Sequence, residues 1–336
     1  MHEVVKRELQ DSFDVIQFDN LEWRGVNSNY TEEHIDELVD QCNDLVSTFE
    51  KDEILALKCG EMFSANEINS ILDKVAPNFS DKRFIIVCND NREFNFKYDY
   101  IVGLTGWTVV RDQFMITNGD TNQIKNNKRN KIFVSRNNRG KDHRKRWIKF
   151  LEKNNLKSKG YVSEGWNGIF LEHLNNDFIT TVESFESIGY NENNQRYPSR
   201  DDKSLMNFYN DSFCEVTLSS EYDIITSPFG AFCTEKEFRS FLMCVIPMLV
   251  SVIDYDKYLK DAGFDLFEDV IDTSFYKTGD LDKKFEIFKE NFDIIENDLT
   301  IDGRFRDDIW KRLKTNQSIF MDGWDKYFWK KYKELK

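Results

Sequence analysis

Short apolar runs constrain this chain more than any other feature. Residues 84–88 read FIIVC and residues 132–135 read IFVS; residues 213–218 read FCEVTL and 246–251 read IPMLVS. FIIVC has no polar alternation, which suits a strand buried on both faces, as in a parallel sheet. IFVS is a second short buried run, and the early Pro247 of IPMLVS suits a strand start. Helical patterns lie between the runs, and alternating strand and helix signals predict the α/β class.

The helical patterns carry their own start signals. Thr31 precedes Glu33 and His34 and can cap the segment HIDELVDQCNDLVSTF, whose apolar residues recur at three and four. SANEINSILDKV has Ser64 at the cap and Glu67 three residues on. Asp142 can cap HRKRWIKFLEKNNL, Thr234 can open EKEFRSFLMC, and Asp254 can cap YDKYLKDAG, which closes at Gly263. VIQF at 15–18 is an early strand candidate and 100–104 a weaker one, while Val109 and Val110 can start a further element. Residues 118–130 and 191–203 read as polar loops, and YVSEGWNG after Gly160 as a turn. LDKKFEIFKENFDIIEND and RFRDDIWKRLKTNQSIF have helical spacing, and the last residues carry Trp324, Tyr327, Phe328 and Trp329, which predicts a packed terminus.

A chain of 336 residues is comfortable for two domains. The formal net charge of −14 argues against a non-specific nucleic-acid coat protein, although a local basic cleft stays open. No apolar stretch is long enough to span a bilayer, and the first residues lack the apolar core of a secretory signal, so a soluble cytoplasmic protein without membrane partners is expected. The cysteines form no CxxC pair and read as small buried hydrophobes.

Two segments carry chemistry. The first, KIFVSRNNRGKDHRKRWIKFLEKNNL at 131–156, offers a strand, a basic turn and a basic helix. The second, at 227–264, offers Thr234-Glu235-Lys236 at a helix start, then a buried strand. A lysine in a first helical turn opposes the helix dipole, which makes sense if an anion sits there. Glu235 and Thr234 have plain explanations, since carboxylates and hydroxyls both favour that helix end. Arg239, one turn on, can join the cluster or pair with Glu235.

Together the segments resemble glycosyltransferases found among phage and environmental bacterial sequences. Ser135, Arg136, Asn137, Asn138, Arg139, His143 and Arg144 carry the first part of that resemblance; Thr234, Glu235, Lys236 and Phe238, followed by IPMLVS and LKDAGFDLFEDVID, carry the second. The Thr-Glu-Lys phrase is also similar to the donor-binding segment of α1,3-fucosyltransferases. The resemblance implies a GT-B-like fold, two Rossmann-like domains facing a cleft. It implies a ribose contact for Glu235, a diphosphate contact for Lys236, and a phosphate contact for Arg136 or Arg144, with Arg139, Thr234 and Arg239 beside them. On this reading residues 1–160 form an acceptor-side domain, 161–315 the donor domain, and 316–336 an aromatic helix returning to the first domain.

The implied reaction moves a sugar from a nucleotide sugar to a hydroxyl of a glycan or of a hydroxymethylated base in phage DNA. Inversion without metal is expected, with no cofactor beyond the co-substrate, UDP- and GDP-sugars being equally open. Guanidinium and ammonium groups at the β-phosphate would stabilise the leaving diphosphate. A general base must take the acceptor proton. Asp19, Glu22, Asp90, Glu93 and His143 are candidates, with Asp90 favoured for its place after FIIVC, while the basic cluster around His143 suits a donor-phosphate ligand more readily than a base. No zinc spacing or P-loop occurs, and Asp254-Tyr-Asp256 has the letters of a metal motif at a helix start. Two alternatives stand beside the transferase: a nucleic-acid binder using residues 125–149, and a non-catalytic scaffold on a degenerate transferase fold.

Overall fold

The apolar runs form strands that pair in parallel with their neighbours. The computed structural model describes residues 9, 11–18, 31–57, 65–88, 97–116, 120–137, 140–167, 202–219 and 235–336. They fall into two units.

The first unit is built from β1 (Asp14–Gln17), α1 (Glu32–Ser47), β2 (Glu53–Leu57), α2 (Ala65–Val75), β3 (Arg83–Cys88) and β4 (Asp99–Val102). Its parallel sheet has the order β1-β2-β3-β4. Ile54, Ala56, Phe84, Ile86 and Cys88 share a core with Leu38, Val39, Cys42 and Val46 of α1 and Ile68, Ile71, Leu72 and Val75 of α2. The alternate residues Leu55, Leu57, Ile85 and Val87 are buried too, so both faces of these strands are covered. Each such Leu or Ile stabilises the fold by about 1.5–3 kcal/mol. Thr31 caps α1 as expected: its Oγ accepts from the His34 N–H, and the His34 Nδ1 accepts from the Thr31 N–H at 3.3 Å. His34 fills the place that Glu or Gln usually takes. The apolar pattern does not reveal β2, because Glu53 and Ala56 are poor strand formers and only the parallel neighbours on both sides supply its pairing. Val109 and Val110 lie inside α3 (Thr105–Ile116).

The second unit holds β5 (Lys131–Ser135), α4 (Asp142–Lys153), β6 (Gly160–Val162), α5 (Asp202–Asn210), β7 (Ser212–Leu218), a 3-10 turn (Glu235–Phe238), α6 (Arg239–Leu242) and β8 (Ile246–Val250). After β8 come α7 (Asp256–Asp261), α8 (Leu281–Asp298), the hairpin β9 (Thr300–Ile301) and β10 (Arg304–Phe305), and α9 (Asp307–Asp322). The division falls between Val109 and Val110, not at 160. The physical reason is pairing: β5 lies in register with β7, Val134 opposite Glu215, so the basic segment belongs to the later sheet. The segment after Gly160 is likewise a strand rather than a turn, with Gly160 opposite Phe133. Of the expected loop at 191–203, residues 191–201 lie outside the described ones, and α5 begins at Asp202.

Aromatic side chains build the second core. Phe133 stacks on Phe292 of α8 at 4.8 Å, and Trp147 of α4 meets Phe285 at 5.0 Å and Phe288 at 6.1 Å. Among the described residues β8 pairs only with β7, so Pro247 sits on an edge strand there, where the missing N–H is tolerated. Asp254 does not cap α7. It has φ +65°, Tyr255 holds the cap position, and the Asp254 carboxylate accepts from Lys257 and Lys277. Gly263 closes this helix at φ +93°, with the Phe264 N–H donating back to the Leu259 carbonyl.

The last helix, α10 (Trp324–Glu334), runs in residues grouped with the first unit from Asp325 onward. Phe13 is ringed by Phe328, Trp329 and Tyr332. The Tyr327 hydroxyl donates to the Val102 carbonyl at 2.8 Å, and the Tyr332 hydroxyl donates to Glu53. Tyr327, Phe328 and Tyr332 are thereby core residues of the first unit, with Trp329 half-buried beside them.

Candidate functional site

The second sheet has the order β6-β5-β7-β8. From β5 the chain moves outward to β6 on one side, and from β7 to β8 on the other. The neighbours β5 and β7 therefore form a topological switch point, and in open α/β sheets the crevice at the carboxyl ends of such strands is where ligands bind. In the first unit the strand order follows the chain order, so that sheet has no such reversal.

Basic residues converge on this edge. Arg136 and Asn137 follow β5 directly, and α4 starts five residues later with Asp142, His143 and Arg144. His143 and Arg144 are each 3% exposed. The His143 Nε2 lies 3.0 Å from the Ser219 carbonyl, and the Arg144 guanidinium donates to the Leu218 carbonyl at 3.0 Å. Both groups thus join the start of α4 to the end of β7. Beneath them the Trp147 indole and the Asn137 amide both donate to Ser135 Oγ at 3.1 Å, and the Asn137 N–H donates to Ser163 Oγ at 2.7 Å. The Ser219 hydroxyl donates to Glu237 Oε1 at 2.5 Å, which ties the 3-10 turn carrying Glu235 and Lys236 to the same strand end.

Glu215 lies beneath this layer, 2% exposed, and accepts a 2.6 Å hydrogen bond from the Tyr209 hydroxyl. Its Oε2 has no hydrogen-bond partner among the described residues. Burial pushes the carboxyl up to about 7, although the charges of Arg239 and Arg136 and the Tyr209 bond pull the other way. Arg239 is buried while Arg136 and Lys236 are half-buried, so the cluster grades from interior to surface. Burial and the adjacent Arg144 push the His143 imidazole down to about 4. The ring is neutral at physiological pH and its Nε2 proton is committed to a carbonyl. His143 thus holds the start of α4 against the end of β7.

The 235–242 stretch departs from expectation. It opens as a 3-10 turn and gives only a four-residue α-helix, so Lys236 does not face the dipole of a long helix. Asp19, Glu22, Asp90, Glu93, Asn138, Arg139 and Thr234 lie outside the described residues. The basic stretch 125–149 is not one solvated face. Arg129 is buried, Lys131 donates to the Ser158 carbonyl, and Arg146 pairs with Asp282. Asp254 and Asp256 share Lys277, with Lys257 and Lys260 as further partners, so that pair is an ion network. Among the described residues no cluster of three or more His, Cys, Asp or Glu is placed to hold a metal. Among them, too, no helix is long and apolar enough to cross a membrane.

Sequence reasoning missed Glu215, Ser219 and Glu237. The one available signal was the single acid inside FCEVTL, since a carboxylate in a buried strand needs compensating partners.

No family model matches this chain, and no curated protein matches it in sequence. The phage and α1,3-fucosyltransferase likenesses rest on the quoted segments alone. Among solved structures, the chain is similar to the catalytic domain of starch synthase IV from Arabidopsis thaliana bound to ADP and acarbose. That likeness has a TM-score of 0.44 and 14% identity over 93% of this chain and 78% of the other. At that level it assigns neither activity nor substrate to this chain.

Proposed function

We propose that the chain is a GT-B-type glycosyltransferase that holds a nucleotide-sugar donor at the β5/β7 edge. The observation that carries this reading is the gathering of Arg136, Arg144, Lys236 and Arg239 around the strand ends of a switch point, with Ser219 tying their two segments together. A diphosphate is the ligand such an edge suits, because cations and backbone N–H groups there meet its charge. Departure of the nucleoside diphosphate builds negative charge on its β-phosphate. Lys236 and Arg136, the half-buried cations, are the residues proposed to meet that charge, and Glu235 is proposed to contact the ribose. Arg139 and Thr234 are proposed donor residues, and Asp90 the base that deprotonates the acceptor hydroxyl. Inversion without a metal ion completes the reading, with UDP- and GDP-sugars as donors and a glycan or hydroxymethylated DNA base as acceptor.

Thermal stabilisation of the full chain by UDP, GDP, CMP, ADP and their sugar conjugates, with and without Mg²⁺, tests the proposal. One diphosphate is expected to raise the melting temperature selectively, and Lys236→Ala is expected to abolish the rise. Indifference to every nucleotide would sink the donor site.

A further inference from the structure

Helix α10 presents a second ligand-like surface, within the first unit. Asp325, Lys326, Trp329, Lys330, Lys333 and Glu334 line a shallow, open groove of about 740 Å³. Positions 326, 329, 330 and 333 follow the three- and four-residue spacing that places side chains on one helix face. Trp329 is half-buried and fixed. Its ring stacks on Phe13 at 5.7 Å with 23° between planes, and Phe328 and Tyr332 meet it edge-on. An indole pinned in this way while still lining a groove is a rigid platform. Lys326 and Lys333 are exposed, and neither side chain makes an ion pair or hydrogen bond among the described residues. In a chain with 60 acidic against 46 basic side chains, two such lysines flanking a tryptophan leave a local cationic surface. They lie about 10 Å apart along the helix axis. Glu334 at one end is neutralised by Lys331 at 2.9 Å.

We infer that this groove binds an anionic oligosaccharide, with a sugar ring on Trp329 and the acidic substituents of its neighbours on Lys326 and Lys333. A pyranose offers a face of C–H bonds to the negative face of the indole, and its carboxylate or phosphate groups suit ammonium donors. A nucleic-acid strand fits less well. It carries a charge at every nucleotide and uses a continuous basic track, whereas carboxylates stand at both ends of this groove. The inference rests on the transferase reading only in making this ligand the acceptor; the binding itself stands apart from the donor site.

Calorimetric titration of the full chain with a short hyaluronan oligosaccharide tests it, with a neutral dextran oligosaccharide and an oligo-dT of matched length as comparisons. Hyaluronan is expected to bind and dextran to bind at least about tenfold more weakly. The double variant Lys326→Glu/Lys333→Glu is expected to lose about tenfold or more, about 1.4 kcal/mol, because two attractions become repulsions toward the ligand's acidic groups. That variant changes only exposed side chains without partners, and its circular dichroism is expected to match the parent's. Trp329→Ala is expected to abolish binding, but it also removes packing on Phe13, so the lysine variant is the decisive one. Absence of hyaluronan binding, unchanged binding by the double variant, or tighter binding of oligo-dT would overturn the inference. Lys236→Ala is expected to bind hyaluronan as the parent does. Failure here therefore leaves nucleotide binding at Lys236 standing, and failure there leaves this groove standing.

Discussion

The Nε2 of His143, in the first turn of α4, lies 3.0 Å from the main-chain oxygen of Ser219, the residue that follows β7 and also donates to Glu237. One neutral imidazole thereby fixes the helix start against the strand end that carries the proposed donor site. Burial holds its pKa down at about 4, against an ordinary value of 6.5. Above pH 6.5 the ring is neutral in folded and unfolded chains alike, and the contribution is fully present. Below that, the unfolded chain binds a proton that the folded chain refuses, so stability falls until about pH 4. The loss is on the order of 3 kcal/mol across that window. Urea unfolding at pH 7.5 and 5 is expected to show a drop in midpoint that is clearly smaller in His143→Gln. His143→Ala is expected to cost about 1–3 kcal/mol at pH 7.5, because the Ser219 carbonyl loses its donor. An equal pH dependence in parent and His143→Gln would remove His143 from this role.

Arg129 is 3% exposed, and its NH1 donates to the carbonyls of Tyr209 and Ser212 at 2.6 and 2.5 Å. Its guanidinium carbon stands 4.9 Å from the Phe305 ring centre, with Phe213 and Trp310 further out. Burial lowers its pKa to about 10, still charged at neutral pH. A lysine cannot match this, because a compact ammonium does not combine a planar stack with a fork of donors. We predict that Arg129→Lys costs about 2–3 kcal/mol in chemical unfolding and shifts the near-ultraviolet dichroism of Trp310. Parent-like stability in Arg129→Lys would mean that the aromatic cage contributes little.

Gly160 faces Phe133 across the β5–β6 pair, and a Cβ added there would meet the Phe133 ring at 2.4 Å. The ring has nowhere to go: it is fully buried, stacked on Phe292 and edge-on to Trp147. Gly160→Ala is expected to destabilise the second unit by about 1–3 kcal/mol through overpacking. Phe133→Leu in the same background is expected to recover part of the loss by making room. Additive losses in the double variant would place the strain elsewhere.

The strands were legible where burial on both faces produced continuous apolar runs, as in FIIVC and IPMLVS, and the long C-terminal helices where spacing repeated over several turns. β2 and β6 were not, because Glu53–Leu57 and the three residues from Gly160 owe their extended form to neighbours distant in the chain. The basic turn was legible as a cluster after a strand, but the burial of its individual residues was not. His143 and Arg129 look like surface cations in a list of letters, and only the packing around them shows one neutral and the other buried. The unit boundary was misplaced for the same reason, since strand order in a sheet is set by long-range pairing. Glu215 was hidden most completely, its partners Tyr209, Arg136 and Arg239 coming from three separate segments.

Glu215 provides the sharpest test of the donor reading. Its carboxyl sits at about 7, raised by burial and drawn down by Arg239, the Tyr209 hydroxyl and Arg136, with the like charge of Glu237 raising it again. A diphosphate at the strand ends would compete for the charge of Arg136 and Arg239. The carboxyl would then lose part of the field that favours its ionised form, and its pKa would rise. At pH 7.5 the bound protein should therefore take up a fraction of a proton that the free protein lacks. Calorimetric titration with the stabilising nucleotide, in buffers of differing ionisation enthalpy, is expected to reveal that uptake, and Glu215→Gln is expected to bind without it. The sign is fixed by the direction of the shift: affinity for the nucleotide falls as pH rises through the free carboxyl's value, and Glu215→Gln flattens that fall. Proton release on binding, or uptake that persists in Glu215→Gln, would place the nucleotide away from Arg136 and Arg239.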